Sequence, residues 1–304
     1  MKIFFLVFML SQFLFSSSIS NETEAFSTEK IKDFETKKCM DDWMAGNFGL
    51  KPHKPNYILP YSFRFGGSHY TSYVPSDVYR NYEAELQISL KLNVANDVFG
   101  LHESYNLAYS HKSFWQIYAS SSPFRETNYN PEMFVVFPID DGSIIKLRSL
   151  TAGFAHLSNG QGNIKDAKLP TSIVNNKSLS PYLKNRSRSM NYIYTKLDMQ
   201  YNNFLVNVKA WMPYFGEDLS DNPDIIDYTG YTSVELKYFY RKHLISLNTR
   251  LNFFSKKGAL ELNYSYPLYP DLYLYTKFFT GYNESLIDYN NYITKFAIGF
   301  SFSR

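Results

Sequence analysis

Three polar residues in the middle of the chain could together perform nucleophilic catalysis. His156 and Ser158 lie two residues apart, just before the Asn-Gly pair at positions 159 and 160, and Asn191 follows a long polar stretch. A serine can attack an ester, a histidine can accept the serine proton, and an amide oxygen can fix the imidazole tautomer. The alternative interpretation is a histidine and a serine at a membrane interface without a chemical role.

The segments that carry these residues have the alternation of β-strands. Side chains at positions i and i+2 point to the same face of a strand, so His156 and Ser158 share a face with the apolar Phe154. Asn191 begins a second alternating segment, in which Ile193 lies on the same face. Two strands joined by one loop normally pair antiparallel, which brings opposite residues close together. We therefore predict that the three polar side chains meet on the outer face of two paired strands.

The same alternation recurs along most of the chain, in segments of about 7–10 residues. Apolar side chains take every second position, with Thr249 as the exception, in residues 86–94, 204–212, 234–240, 247–253 and 296–302. Lys, Arg, Glu and Asn fill many of the positions between them. This pattern is typical of a membrane barrel, whose apolar face meets lipid and whose polar face lines the lumen. A secreted β-sandwich with its polar face in water gives the same period and stays open as the alternative.

Aromatic content favours the barrel. Aromatic residues make up 18% of the chain, mainly through 27 Tyr and 26 Phe, and many cluster near the predicted strand ends. Aromatic girdles of this kind occur at the membrane interfaces of outer-membrane barrels. We predict an all-β fold, a transmembrane antiparallel β-barrel with an even number of strands, short turns in the periplasm and long loops outside.

The N-terminal part of the chain is different in character. Residues 1–20 combine an early lysine, an apolar stretch and small residues, which predicts a signal peptide, with an N-terminal membrane anchor as the alternative. Residues 21–55 are predicted to be a polar periplasmic segment and residues 56–304 the barrel domain. The single cysteine, Cys39, allows no internal disulfide. A formal net charge of +3 gives no indication of a nucleic-acid partner.

Two polar stretches are predicted to be outer loops. Residues 159–188 form the longer one, between the two strands of the candidate site. Residues 216–227 are rich in acid and fit either a solvated loop or a cation site.

Several sequence blocks resemble a known family. These blocks are HLSNG at 156–160, SRSMN at 187–191, SSPFRETNY at 121–129 and ESLIDYN at 284–290. Together they resemble bacterial outer-membrane phospholipase A. The resemblance implies a twelve-stranded barrel in the bacterial outer membrane that hydrolyses acyl esters of phospholipids, with activity of the A1, A2 and lysophospholipase types. It also implies that Ser158 is the nucleophile, His156 the general base and Asn191 the residue that orients the histidine.

The resemblance further implies a calcium ion and a homodimer in the active state. The matching Ca²⁺ ligands are the backbone carbonyl of Gln161, the hydroxyl of Ser187, and the hydroxyl of Ser121 of the partner subunit. Calcium accepts carbonyl and hydroxyl oxygens, so a site with few carboxylates is chemically acceptable.

Two other functions remain open from the sequence. A passive channel or structural barrel with a vestigial site has the same strand pattern. An outer-membrane protease would need acidic catalytic residues above the membrane rim, and no histidine accompanies the acidic residues of the second loop.

Overall fold

The structure is a computed structural model that describes residues 33, 49–66, 79–139, 145–163 and 185–304. The predicted signal peptide, most of the predicted periplasmic segment and the centre of the loop at 159–188 lie outside these ranges. Residues Lys51–Arg304 form one compact unit. No helix among the described residues is long and apolar enough to span a bilayer.

The described residues form thirteen strands and one short helix, α1 (Ile225–Thr229). The strands are β1 (Leu50–Pro52), β2 (Tyr57–Phe65), β3 (Tyr82–Asn96), β4 (Ser104–Trp115), β5 (Phe124–Pro138), β6 (Lys146–Ser158), β7 (Ser189–Tyr201), β8 (Phe204–Pro213), β9 (Thr232–Tyr240), β10 (His243–Asn252), β11 (Lys257–Tyr269), β12 (Leu272–Gly281) and β13 (Ile293–Ser301). From β2 to β13 each strand pairs antiparallel with the next, and β13 pairs with β2. This closed ring of twelve strands, with the short β1 beside β3, confirms the predicted barrel and excludes the sandwich.

Burial along the strands follows the alternation of the sequence. On β3 the side chains of Ile88 and Val94 are 53% and 52% exposed, whereas Glu85 and Ser89 are completely buried. Burial of the polar residues and exposure of the apolar ones is the inverse of a water-soluble protein. It is the arrangement expected when the apolar face meets lipid and the polar face lines the lumen.

Buried ion pairs fill part of the lumen. Arg125 on β5 holds Glu83 on β3 through Nε and Nη2, each 2.9 Å from a carboxylate oxygen, and its Nη1 donates to Asp288. Lys295 on β13 also binds Glu83, at 2.8 Å. Lys277 on β12 is paired with the neighbouring Glu85. The lumen also contains a cavity of about 710 Å³ lined by residues of both charge signs.

Connections at the two ends of the barrel differ in length. The pairs β7–β8, β9–β10 and β11–β12 are joined through residues 202–203, 241–242 and 270–271, all at one end. The connections at 159–188, 214–231 and 282–292 are long and lie at the opposite end. Because long loops of such barrels face outward and short turns face the periplasm, we assign the end with long connections to the cell exterior.

Candidate active site

The candidate site is built on the paired outer ends of β6 and β7. The register places His156 directly opposite Asn191 and Ser158 opposite Ser189. The Nδ1 atom of His156 lies 2.9 Å from the Oδ1 atom of Asn191, which is hydrogen-bonding distance. The predicted juxtaposition of the histidine and the asparagine is therefore present.

Ser158 ends β6 and lies on the same strand face as His156. It pairs with Tyr129 on β5 on one side and with Ser189 on β7 on the other. Among the described residues no hydrogen bond links its Oγ atom to His156. Such bonds are often loose in enzymes without substrate and tighten when the substrate binds.

Gly160 turns the chain away directly after the site. Its φ angle of +63° lies in the left-handed region, where a side chain is strained. A Cβ atom added there would also lie 2.7 Å from the ring of Tyr129. The glycine of the HLSNG block therefore allows a sharp turn packed against β5.

The site lies on the lipid-facing surface of the barrel. Ala155 and Tyr192, which neighbour His156 and Asn191 in sequence, are buried on the lumen side. In contrast, Met133 lies opposite Phe154 on the outward face and is 56% exposed. The polar group is therefore surrounded by apolar side chains that meet lipid, as the strand alternation predicted.

A carboxylate that the sequence analysis did not single out completes this group. The Nδ2 atom of Asn191 donates to both oxygens of Glu217, at 2.9 and 3.2 Å. The backbone N–H of Asn191 donates to the same carboxylate at 2.8 Å. Glu217 belongs to the acid-rich connection between β8 and β9, whose sequence fits a solvated loop or a cation site. Glu217 follows the end of β8 in a loop without strand alternation, so no sequence pattern indicated its contact with Asn191.

The two ends of the long loop at 159–188 are tied together beside the site. Asn159 donates from Nδ2 to the carbonyl of Arg186 at 2.8 Å, and its Oδ1 accepts from the backbone of Gln161 at 3.3 Å. Asn163 Oδ1 accepts from the backbone N–H of Ser187 at 2.9 Å. These bonds bring the chain around Gln161 next to the chain around Ser187, two of the predicted calcium ligands.

These loop ends bring together several oxygen atoms that could bind a cation. The Ser187 hydroxyl donates to the carboxylate of Asp221, which also accepts from Asn163 Nδ2 at 3.3 Å. A hydroxyl that donates to a carboxylate keeps its lone pairs free for a cation. The carbonyl, hydroxyl and carboxylate oxygens of Gln161, Ser187 and Asp221 are hard ligands of the kind that Ca²⁺ prefers. The donor chemistry therefore fits calcium.

Ser121, the third predicted ligand, is separate from this set. It lies in the connection between β4 and β5, is exposed, and has a φ angle of +60°. Within the described ranges no hydrogen bond joins Ser121 to Gln161 or Ser187. The described residues also contain no cluster of three His, Cys, Asp or Glu side chains that could hold a metal.

The loop that carries Glu217 and Asp221 is anchored to the barrel. Tyr289, in the connection between β12 and β13, donates its hydroxyl to Asp224 just before α1. Burial, together with this hydrogen bond to a carboxylate, raises the pKa of Tyr289, so the phenol stays a donor. The guanidinium of Arg188 lies 5.7 Å from the centre of the Tyr289 ring. Tyr289 therefore contacts both loops of the site, the one that ends at Arg188 and the one that carries Glu217 and Asp221.

Comparison with known proteins identifies relatives over most of the chain. The family model for phospholipase A1 matches residues 35–167 and 182–302. Phospholipase A1 of Escherichia coli K12 is 34% identical over 256 residues, which are 83% of this chain and 81% of that protein. A putative phospholipase A1 of Neisseria meningitidis is 32% identical over 287 residues, 86% of this chain and 67% of the relative.

Solved structures show the same relationship. Outer membrane phospholipase A of Escherichia coli has a TM-score of 0.72 and 32% identity, covering 84% of this chain and 93% of the solved one. The Salmonella typhi outer membrane phospholipase, solved as a dimer with bound calcium, gives the same values. The closed twelve-stranded ring and these matches place the protein in the bacterial outer membrane. The chain is therefore an enzyme that belongs to the phospholipase A1 family.

Proposed function

We propose that this outer-membrane phospholipase cleaves acyl esters of phospholipids, with A1, A2 and lysophospholipase activity, at a site made of Ser158, His156 and Asn191. The hydrogen bond between His156 and Asn191 on the lipid-facing surface carries this proposal. A nucleophile in this position reaches the acyl esters of membrane lipids from the side of the barrel. The substrate therefore needs no passage through the lumen.

The side chains have the roles of a serine hydrolase. The Oγ atom of Ser158 attacks the ester carbonyl carbon, and its proton passes to Nε2 of His156. The tetrahedral intermediate then expels the alcohol of the lysophospholipid, which takes that proton from His156. Water then attacks the carbonyl carbon of the acyl-enzyme and gives its proton to His156. The second tetrahedral intermediate expels the Ser158 oxygen, which takes that proton as the fatty acid is released. Throughout, Asn191 Oδ1 accepts a hydrogen bond from Nδ1 of His156.

We propose that calcium is required. The carbonyl of Gln161, the hydroxyl of Ser187 and the carboxylate of Asp221 would hold it, together with Ser121 of the partner subunit. A bound calcium ion supplies positive charge that stabilises the developing oxyanion. The Salmonella typhi relative with bound calcium supports this assignment.

We also propose that the active state is a homodimer. On the outer face of β4, His111 Nε2 lies 2.8 Å from Ser113 Oγ, which lies 2.9 Å from Thr127 Oγ1 on β5. Polar side chains are costly against lipid and are more favourable where a second protein surface covers them. Chemical crosslinking with and without calcium tests this, and a monomer under active conditions would contradict it.

The two N-terminal predictions become proposals as well. Residues 1–20 would direct export and be removed, and the earlier part of the segment at 21–55 would lie in the periplasm. The end of that segment belongs to the barrel, because β1 pairs with β3 and Lys54 Nζ donates to Glu132 on β5, at 2.6 Å. The first residue of β2 lies at the end of the barrel with short connections, which agrees with a periplasmic segment before it. Determining the N-terminus of the protein isolated from outer membranes tests the cleavage.

A passive channel has less support than hydrolysis. The connection between β12 and β13 is tied to Arg125 inside the lumen through Asp288, and Arg125 in turn holds Glu83. Charged groups that pair across the lumen oppose a wide aqueous pore. Leakage of small solutes from vesicles containing the protein would favour the channel.

Release of fatty acid by the detergent-purified protein tests the proposed function. We expect Ser158→Ala to lose at least about 10⁴-fold in kcat, and we expect a calcium chelator to abolish activity in the wild type. Ser189→Ala is the matched control, because Ser189 lies directly opposite Ser158 on the neighbouring strand. Full activity of Ser158→Ala would contradict the proposal.

A further inference from the structure

We propose that Glu217 is a positioning residue of the active site, which sets the orientation of Asn191 and places a negative charge behind His156. This inference deepens the proposed function and rests on it. The catalytic group would thus be a chain of four residues, in which a neutral amide connects a carboxylate to the imidazole.

The contacts of Glu217 are directed at Asn191. Its carboxylate accepts three hydrogen bonds from that residue, two from the side-chain amide and one from the backbone N–H. The carbonyl of Asn191 in turn accepts from the backbone N–H of Tyr214, at 2.9 Å. The loop between β8 and β9 therefore forms hydrogen bonds with both the backbone and the side chain of Asn191.

These contacts determine which way the amide of Asn191 points. The two ends of an asparagine amide have nearly the same shape, so its orientation follows from its partners. An ionised carboxylate only accepts hydrogen bonds, so the NH₂ group of Asn191 must face Glu217. The carbonyl oxygen Oδ1 then faces His156, where it lies 2.9 Å from Nδ1.

The tautomer of His156 follows from this orientation. Because Oδ1 only accepts, Nδ1 of His156 must carry the hydrogen. In the neutral imidazole the lone pair is then on Nε2, the atom that has to take the proton of Ser158. Without Glu217 the reversed amide would be available to Asn191, and it would favour the tautomer that cannot act as the base.

The charge of Glu217 adds a second effect. A neutral asparagine stabilises an imidazolium less than an aspartate does, because it carries no net charge. Glu217 supplies that charge from behind the amide, and hydrogen bonds in series polarise one another. The site lies at the lipid-facing rim, where interactions between charges are screened less than in bulk water.

Few other titratable groups surround His156. Tyr129 on β5 pairs with Ser158, and His111 on β4 contacts the ring of Tyr129. Tyr214 packs against Phe154 from the same loop as Glu217. Among the described residues, Glu217 is the carboxylate linked to His156 through a side-chain hydrogen-bond chain.

The test is the pH dependence of kcat for Glu217→Gln at saturating calcium. The glutamine keeps the shape of the side chain but loses its charge and can present NH₂ to Asn191. We expect kcat to fall about tenfold with little change in KM. Loss of the charge disfavours the protonated imidazole relative to the neutral one, so the acid limb of the profile should move to lower pH.

Asp218→Asn is the matched control. Asp218 is the next residue of the loop, and its carboxylate accepts from the backbone N–H of Ser220, at 2.9 Å. This variant removes the same charge from nearly the same place without altering a contact of Asn191. We expect it to keep the wild-type pH profile and kcat, and Glu217→Asp to recover part of the lost activity.

A double-mutant cycle separates the proposed pathway from a general loss of structure. In the Asn191→Ala background, Glu217→Gln should cost little further activity, because the amide that connects the two residues is gone. Additive losses, or an unchanged pH profile in Glu217→Gln, would overturn the inference while leaving the phospholipase proposal intact. Failure of that proposal is recognised separately, by full activity in Ser158→Ala.

Discussion

The barrel contains two polar regions that are organised in opposite ways. Inside the lumen, fully buried residues of both charge signs meet in a cluster around Arg125, Glu83 and Lys295. On the outer face at the rim, the strand residues His156, Ser158 and Asn191 are polar but uncharged or weakly basic. The full negative charge of this second region comes from a loop, through Glu217.

The difference indicates which polar residues stabilise the fold and which take part in catalysis. A buried charge in the lumen is stabilised by several partners on different strands, so removing one partner leaves the others uncompensated. The outer group has few partners and faces lipid, so its contribution to stability is small. We therefore expect the inner cluster to govern folding and the outer group to govern catalysis.

The largest effect is expected from His156→Ala. Loss of the general base should lower kcat by at least about 10⁴-fold, because Ser158 then has no acceptor for its proton. The midpoint of urea unfolding should stay close to that of the wild type, since the side chain is only half-buried at the rim. A large loss of stability in this variant would remove the proposed distinction between the two regions.

A comparably large effect, but on stability, is expected from Arg125→Met. The change leaves Glu83 and Asp288 buried without their guanidinium partner, which should lower the free energy of unfolding by about 3–5 kcal/mol. Urea unfolding measures the change. Arg148→Met is the control, because Arg148 is exposed and bonds Gln200, so we expect a change within about 0.5 kcal/mol.

The activity of Arg125→Met provides a second test of the difference between the two polar regions. The folded fraction of Arg125→Met should keep its kcat, since the arginine lies inside the barrel. If the folded variant were inactive, the lumen cluster would be coupled to the site.

A smaller effect is expected from Ser187→Ala. Removal of one oxygen ligand should raise the calcium concentration for half-maximal activity about tenfold, as expected for partial loss of a metal site. Saturating calcium should restore most of kcat. Calcium titrations of the purified protein measure this, with Ser189→Ala as the unaffected control, and an unchanged half-maximal concentration would exclude Ser187 as a ligand.

The alternation of side chains made much of the fold predictable. Residues such as Ile88 and Glu85 take opposite faces because the period of a strand is two residues, and this property depends only on local sequence. The pairing of His156 with Asn191 could also be predicted from the sequence, because one loop joins the two strands and makes them antiparallel neighbours. The number of strands could be predicted only from the family resemblance, because the chain length is compatible with several even numbers of strands.

The role of Glu217 could not be predicted from the sequence in the same way. It lies in a loop without periodicity, so its side chain direction depends on the contacts of the whole connection between β8 and β9. The same holds for Asp221, which contacts Ser187 across two loops. The strands were predictable from local patterns, whereas the polar contacts of the loops depend on tertiary packing.

The nucleophile itself provides the most direct test of the account. The purified protein is treated with a sulfonyl fluoride in the presence of calcium, and the modified peptide is identified by mass spectrometry. We predict that inactivation follows formation of one adduct on Ser158 and that His156→Ala forms it much more slowly. Complete inactivation with the adduct on another residue would contradict the central claim that Ser158, on the lipid-facing surface, attacks the substrate.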